Sequence, residues 1–537
     1  VKLVSEAELS AISERAAVTG GRARVVALAS ATFTLAGLAA AKLILQFGGI
    51  RHYGFFRDEL YYMACGEHLA WGYVDQPPLI AFIAWFARHA FGDSIVAIRL
   101  LPDLAGAAVV FLTGVLAREL GGGRSAQVLA AMAILLAPAY MAFDSFLSMN
   151  AFEPLFWLLC GWIVVRIVKG ASPRLWLAFG AIAGIGLENK HTMLVFGFGL
   201  AAGLLLAGEW RVFHSKWIWI GAAIALALFL PNLIWEARHG WPQIEVVRNA
   251  QLYKNVPTTP LDFLVDQVAF LNPLALPLWL GGLAWLLFAR DGRQFRFLGW
   301  AYLIVLAIFM LFDGKSYYAL PVYTVLMAAG AVGFEQFVKS RGSDRLRPLL
   351  RTAFPALLLA SGLIAAPFGV PVLPIGAFLR YSRALPFSNL AKTERDAVDV
   401  QLPQLYADMF GWENIATTVA GVYKALPEQE RNGCAILAGN YGEAGAIDYY
   451  GPSLGLPKAL SGHNSYYYWG PRGYSGACVI IYGEQSSTFI TYFRDVHQAA
   501  TVVSPHAMPN ERNIPVYVCR KPIAPLAELW PRFKMII

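Results

Sequence analysis

A helix crosses a bilayer only where about 20 consecutive residues are apolar, because hydrocarbon supplies no water to unpaired polar groups. Eleven such runs mark the chain, at approximately residues 25–48, 95–117, 126–143, 150–168, 175–187, 192–208, 217–235, 270–289, 297–312, 317–338 and 352–370. The fifth is short, and the polar residues Glu188, Asn189, Lys190 and His191 divide it from the sixth. Charged residues make up 15% of the chain, against roughly 25% in soluble proteins. A water-soluble enzyme is thereby excluded, and a mainly α, polytopic membrane protein is expected. The first run is too long for a signal-peptide core and lacks a small-residue cleavage site, so it is expected to be retained as a span.

The net charge of +8 belongs almost wholly to residues 1–370, which carry +7 of it. With the N-terminus cytoplasmic, the cytoplasmic segments hold 19 basic residues, among them Lys2, Arg15, Arg22 and Arg24, and the opposite loops hold nine. This is the asymmetry of short cytoplasmic loops and removes the need for a nucleic-acid partner. Eleven crossings then place the C-terminus outside. From residue 371 to 537 the character changes to that of a soluble α/β domain: LPQLYADMFGWENIATTVAGVYKAL (402–426) has helical periodicity, and CAILAG (434–439), ACVIIYG (477–483) and IPVYVC (514–519) read as buried strands. Cys434, Cys478 and Cys519 allow a disulfide there, without choosing the pair, and no CxxC suggests zinc.

The same orientation gathers Asp58, Glu59, Asp75, Asp144, Glu153, Glu188, Lys190, His191, Asp313 and Lys315 on the outer side. Any one of them can simply solvate a helix end, but ten on one face suggest a site. The first outer loop, residues 49–94, also holds two short amphipathic stretches, 60–73 and 77–92, expected to lie along the membrane surface. Lys42, inside the first run, is expected either to face a lipid phosphate or to snorkel. In the C-terminal part, NYGEAGA (440–446) lacks both GxGxxG and a terminal Lys-Ser/Thr, so nucleotide binding is rejected. His463, Asn464, Tyr466, Tyr467, Tyr468 and Trp469 suggest sugar stacking or, more simply, packing at the membrane interface; Asp448, Tyr449 and Tyr450 read as helix and core.

GFFRDELYYMACGEHLAWGYVDQPPL (54–79), Phe152-Glu153-Pro154-Leu155, Lys190, and DGKSYYALPVYTVLMAAGA (313–331) follow one another on that outer side. In this order they resemble the GT-C superfamily of membrane glycosyltransferases, and more narrowly the protein O-mannosyltransferase family with its bacterial relatives, which include the lipid A aminoarabinose transferase. The resemblance covers most of the first 340 residues. It implies a GT-C fold of about eleven transmembrane helices with an extracytoplasmic α/β domain, in a bacterial inner membrane. It implies a polyprenyl-phosphate-linked sugar as donor, a lipid, glycan or protein acceptor, and an inverting single displacement.

On that reading Asp58, with Glu59 beside it, is the base that takes the acceptor proton. Lys315 and Lys190, helped by Arg57 or Arg99, bind the departing phosphate. Asp75, Glu153, His191, Tyr317 and Tyr318 orient the sugar or a divalent metal ion, the one cofactor left open. His463, Asn464, Tyr467 and Trp469 form an acceptor or interface cluster. A transporter or flippase of lipid-linked sugars is the alternative, although its polar groups would be expected along mid-span positions. A membrane anchor for a binding domain is a third reading, and it leaves the outer carboxylates unexplained.

Overall fold

Proline, glycine and asparagine decide where the apolar runs bend or stop. The computed structural model describes residues 29–341, 346–385 and 401–537; the basic residues before the first span, the start of that span and residues 386–400 lie outside them. The chain enters through α1 (Ala29–Gly49), and two shorter helices, α2 (Arg57–Glu67) and α3 (Leu79–Phe91), occupy the first loop before α4 (Ile95–Glu119). The run at 126–143 is two helices, α5 (Arg124–Leu135) and α6 (Pro138–Asp144), bent by 63°. Pro138 opens α6 and disfavours helical backbone at the preceding Ala137.

Next come α7 (Met149–Val168), α8 (Leu175–Asn189), α9 (Met193–Leu206), α10 (Lys216–Arg238) and α11 (Pro242–Asn249). α12 (Pro260–Phe270) meets α13 (Leu276–Phe288) at a bend of 97°, where Asn272 adopts φ +72° and Pro273 follows. α14 (Arg296–Leu311), α15 (Tyr323–Arg341), α16 (Leu346–Gly369) and α17 (Ile375–Arg383) complete this part. Among the described residues seven helices are long and apolar enough to cross a membrane, and counting each bent pair as one span brings them to nine. The fifth and sixth expected spans are α8 and α9, apolar helices of only 15 and 14 residues. They pack on α10 and α14 respectively.

The C-terminal residues form a five-stranded sheet in the order β2-β1-β3-β5-β4. β1 (Cys434–Ala438) runs parallel to β2 (Leu460–Ser461) and β3 (Cys478–Tyr482), while β4 (Phe493–Val503) and β5 (Asn513–Pro522) pair antiparallel and close the other edge against β3. The three expected strands are β1, β3 and β5. Of the three candidate cysteines, Cys434 and Cys478 are bridged across register partners of β1 and β3, and Cys519 is a buried free thiol. Four helices precede or follow β1: α18 (Gln404–Ala407), α19 (Trp412–Ala425), α20 (Glu428–Arg431) and α21 (Tyr441–Leu454). NYGEAGA starts α21, where the Asn440 side chain accepts the Glu443 N–H at 2.9 Å and Glu443 returns the contact to the Asn440 N–H at 3.0 Å. This reciprocal cap explains the motif without a bound phosphate.

Two ion pairs inside the helical part correct sequence expectations. Lys42 neither snorkels nor faces a lipid: it is fully buried, 2.8 Å from Asp144 and 2.9 Å from the Tyr140 carbonyl. Asp144 is therefore an internal partner. Arg99 and Glu59 are both fully buried and meet at 2.7 Å. Glu59 also accepts the Phe56 and Leu147 N–H groups, each at 2.8 Å, and Arg99 donates to the Gly54 carbonyl at 2.8 Å.

Removing one partner of such a pair strands a charge, at a cost of about 3–5 kcal/mol, whereas removing both is far milder. Arg99→Met is expected to lower the unfolding midpoint strongly and Arg99→Met with Glu59→Met to restore most of it, measured by thermal unfolding in nanodiscs. Equal midpoints for the single and double variants would refute the pairing as a stability element.

Glu511, between β4 and β5, is buried with no hydrogen-bond donor to either carboxylate oxygen among the described residues. Burial pushes its carboxyl well above the ordinary range, with the Asp408 charge adding to the shift and Arg57 opposing it. The folded protein keeps this proton where the unfolded chain has lost it, so its contribution to stability declines as pH rises above about 4.3. Glu511→Gln is expected to raise the unfolding midpoint at neutral pH and to flatten its decline from acid to neutral pH. A variant with the wild-type pH slope would remove Glu511 as the cause.

Candidate functional site

Asp58 reaches a cavity because its neighbour in sequence does not. Successive residues in a helix are turned by about 100°, so with Glu59 held inward by Arg99, Asp58 at the start of α2 faces another way. It is one wall residue of a cavity of about 700 Å³. The other walls come from α6 and α7, from residues 243–255, from residues 308–318 and from the C-terminal part. Phe143, Phe309 and Phe312 make much of the lining apolar, and Arg57, Lys254 and Lys315 bring positive charge to it.

The Asp58 carboxylate accepts a hydrogen bond from the Tyr441 hydroxyl at 2.8 Å, and Arg57 Nε lies 3.7 Å from the same oxygen. The Arg57 guanidinium is also 3.5 Å from Asp408, and the Arg57 N–H bonds to the Asp408 carbonyl at 3.1 Å. Asp75, a second carboxylate in the cavity wall, is held by the Tyr61 hydroxyl at 2.8 Å and the Asn464 amide at 3.1 Å. Burial pushes the Asp75 carboxyl up to about 6; the Tyr61 hydrogen bond opposes that shift, the Asp58 charge adds to it, and Lys254 counters it.

The remaining candidates divide between two places. Lys190 is 2.9 Å from Glu153 and 2.8 Å from Asn150, with its ammonium 4.2 Å from the Tyr318 ring centre. Thr192 also donates to Glu153. Lys190 and Glu153 therefore sit behind the wall that Asn150, Thr192, Tyr317 and Tyr318 present to the cavity. Glu59 and Arg99 do not line it at all, because each is the other's buried partner.

The expected metal trio is separated: Asp75 is held by Tyr61 and Asn464, Glu153 by Lys190 and Thr192, and His191 by Asn232 at 3.1 Å. No group of three metal-type ligands forms among the described residues. These residues do not fit a metal ion as they stand, and no step below runs through one.

The aromatic cluster packs instead of presenting a stacking surface to the cavity. Trp469 stacks on His68 at 4.2 Å, and Trp530 donates to the Tyr467 carbonyl. His463 and Asn464 are buried, His463 accepting the Tyr441 N–H at 3.2 Å and Asn464 gripping Asp75. Tyr441, Asp408 and Lys254 are wall residues that the sequence reading left out. Lys254 is one of the nine basic residues counted in the outer loops, and it ends a π-helical turn, Ala250–Lys254, a backbone feature that the sequence pattern does not announce.

Residues 75–235 match the family model described as dolichyl-phosphate-mannose-protein mannosyltransferase. The lipid A galacturonosyltransferase RgtD of Rhizobium johnstonii is 28% identical over 192 residues, which is 34% of this chain and 39% of that relative's length. ArnT from Cupriavidus metallidurans, solved bound to undecaprenyl phosphate, superposes with a TM-score of 0.58 at 14% identity, over 89% of this chain and 97% of that one. The archaeal oligosaccharyltransferase AglB from Archaeoglobus fulgidus, solved with an inhibitory peptide and a dolichol-phosphate, gives a TM-score of 0.51 at 12% identity, over 86% and 70% of the two chains. The chain therefore has an ArnT-like GT-C fold, and its family match spans residues 75–235.

Proposed function

We propose that the protein transfers a sugar from a polyprenyl-phosphate carrier to a lipid, glycan or protein acceptor on the extracytoplasmic side, by an inverting displacement. The observation that carries this reading is one cavity that combines a carboxylate, Asp58, with Arg57, Lys254 and Lys315 and with apolar walls. The family match over residues 75–235 and the lipid-phosphate ligands named for ArnT and AglB support it. The excess of basic residues in the alternate loops and the Cys434–Cys478 bridge, a feature of oxidising compartments, support the orientation.

In the proposed step the acceptor hydroxyl oxygen attacks the anomeric carbon while the bond from that carbon to the phosphate oxygen breaks. The hydroxyl proton passes to Asp58, and the lipid phosphate leaves with one more negative charge than it carried in the donor. Lys315, Arg57 and Lys254 meet that charge in a site with little water, where fixed cations stabilise it most. Lys190 and Glu153 hold Tyr317 and Tyr318 in the cavity wall, and Asp75 is placed to bind a sugar hydroxyl. The membrane part, residues 1–370, carries the chemistry on this reading, and residues 371–537 form an extracytoplasmic domain that covers it.

A general base contributes about 10²–10⁴-fold, so Asp58→Asn is expected to lose at least about 100-fold in transfer while keeping donor binding. The assay is release of polyprenyl phosphate from a panel of synthetic polyprenyl-phosphate sugars in nanodiscs with an envelope extract, read by mass spectrometry. Near-normal release by Asp58→Asn would remove it as the base. Donor movement between leaflets without release by the wild type would favour a flippase. Lys315→Ala is expected to weaken donor binding about tenfold, or about 1.4 kcal/mol, and unchanged affinity would leave Lys315 a helix-end cation only.

A further inference from the structure

Helix α21 lies against α2 closely enough to reach the base. Gly442 and Gly445, one turn apart, form the contact face: a Cβ on Gly442 would stand 2.4 Å from Arg57 Cγ, and one on Gly445 would stand 2.9 Å from the Leu60 backbone. A side chain on Gly445 would run into the α2 backbone, and one on Gly442 would displace the Arg57 side chain. Tyr441 immediately precedes this face and opens the helix under the Asn440 cap.

Its ring is fixed on two sides. It stacks on Tyr61 with centroids 4.6 Å apart, packs against His463 at 4.6 Å, and has its N–H tied to His463 Nδ1. The hydroxyl at the end of this held ring donates to Asp58 Oδ1 at 2.8 Å. The same chain region grips the residue beside Asp58, since Asp408 meets both the backbone and the guanidinium of Arg57.

We infer that Tyr441 is a positioning residue for Asp58, so that the C-terminal α/β part completes the active site of the membrane part. The inference rests on the proposed role of Asp58 as base. A carboxylate at the edge of a 700 Å³ cavity can rotate about its own side-chain bonds, and only some rotamers aim an oxygen at an acceptor. A phenol held by stacking and donating to Oδ1 selects one rotamer and leaves Oδ2 to receive the proton. Because a phenol is neutral, it does this without pairing the base to a cation that would compete for its charge. Orientation of this kind acts on the chemical step and leaves donor affinity largely alone.

The test is Tyr441→Phe, which keeps the ring and its stacking and removes only the hydroxyl. It is compared with the wild type and with Asp58→Asn in nanodiscs, using the polyprenyl-phosphate sugar that the wild type turns over. The expected result is a fall in kcat of about tenfold or more, with donor KM within about twofold and an unchanged unfolding midpoint. Unchanged kcat in Tyr441→Phe, with activity lost in Asp58→Asn, would overturn this inference and leave the proposed function standing. Retained activity in Asp58→Asn would overturn both. A rise in donor KM at constant kcat would make Tyr441 a donor contact and overturn the positioning role. Tyr441→Ala serves as the packing control: a lowered unfolding midpoint there, with Phe silent in every readout, would assign the ring to stability alone.

Discussion

The buried carboxylate of Glu59 fixes the geometry around it. It accepts from Arg99, from the Phe56 N–H at the start of its own helix and from the Leu147 N–H between α6 and α7. Three separate parts of the chain thus share one anion. A charge taken out of water must be fully satisfied or it destabilises the fold, so these three donors cannot drift independently. The start of α2 is thereby locked to α4 and to the α6–α7 connection, and the residue one step before Glu59 is turned into the cavity. The acidic pair that reads in sequence as a base with a second carboxylate beside it is, in the structure, one cavity carboxylate and one buried anchor.

The helical part was largely legible because its signal is composition over long windows. Each of the eleven apolar runs is mainly helical over its described residues, and the proline positions at 138 and 273 mark the bends that break two of them. Short-range ambiguity appears where length and packing compete: α8 and α9 are shorter than a straight span, and α8 leans on α10 through Gly180 and Gly221, whose backbones touch too closely for any side chain. Lys42 was misread because a lone cation in an apolar run shows no partner in sequence; Asp144 lies about a hundred positions away. In the sheet, β1, β3 and β5 are apolar and bounded by turns. β4 is an edge strand, mostly exposed, and lacks the buried-strand pattern that betrays the others.

The site was half legible. Asp58, Asp75, Lys315, Tyr317 and Tyr318 do line one cavity, since residues near helix ends on one side of a bundle converge once the bundle packs. Lys190, Glu153 and His191 share that side but are claimed by nearer partners, which no charge count can foresee. Tyr441 and Asp408 were out of reach for a different reason: they lie 383 and roughly 350 residues beyond Asp58 and Arg57, Asp408 falls in a stretch read only for its helical periodicity, and NYGEAGA, which holds Tyr441, was weighed for phosphate binding. Its glycines turn out to serve close helix contact.

On the proposed chemistry the cavity faces a conflict that its polar contacts resolve. The leaving phosphate needs cations close by, yet a cation paired tightly with Asp58 would hold the charge that the base must use to take a proton. Among the described residues Arg57 is the cation nearest to Asp58, at 3.7 Å. That is long for a charge-assisted hydrogen bond. Its guanidinium is drawn off by Asp408, while the position adjacent to Asp58 Oδ1 is occupied by the uncharged Tyr441 hydroxyl. Both restraints come from the C-terminal residues. On this reading α2 and the segments around Lys254 and Lys315 supply the base and the cations, and the α/β part keeps them from neutralising one another, which is a stronger reason for the two to be joined in one chain than shielding the cavity from water.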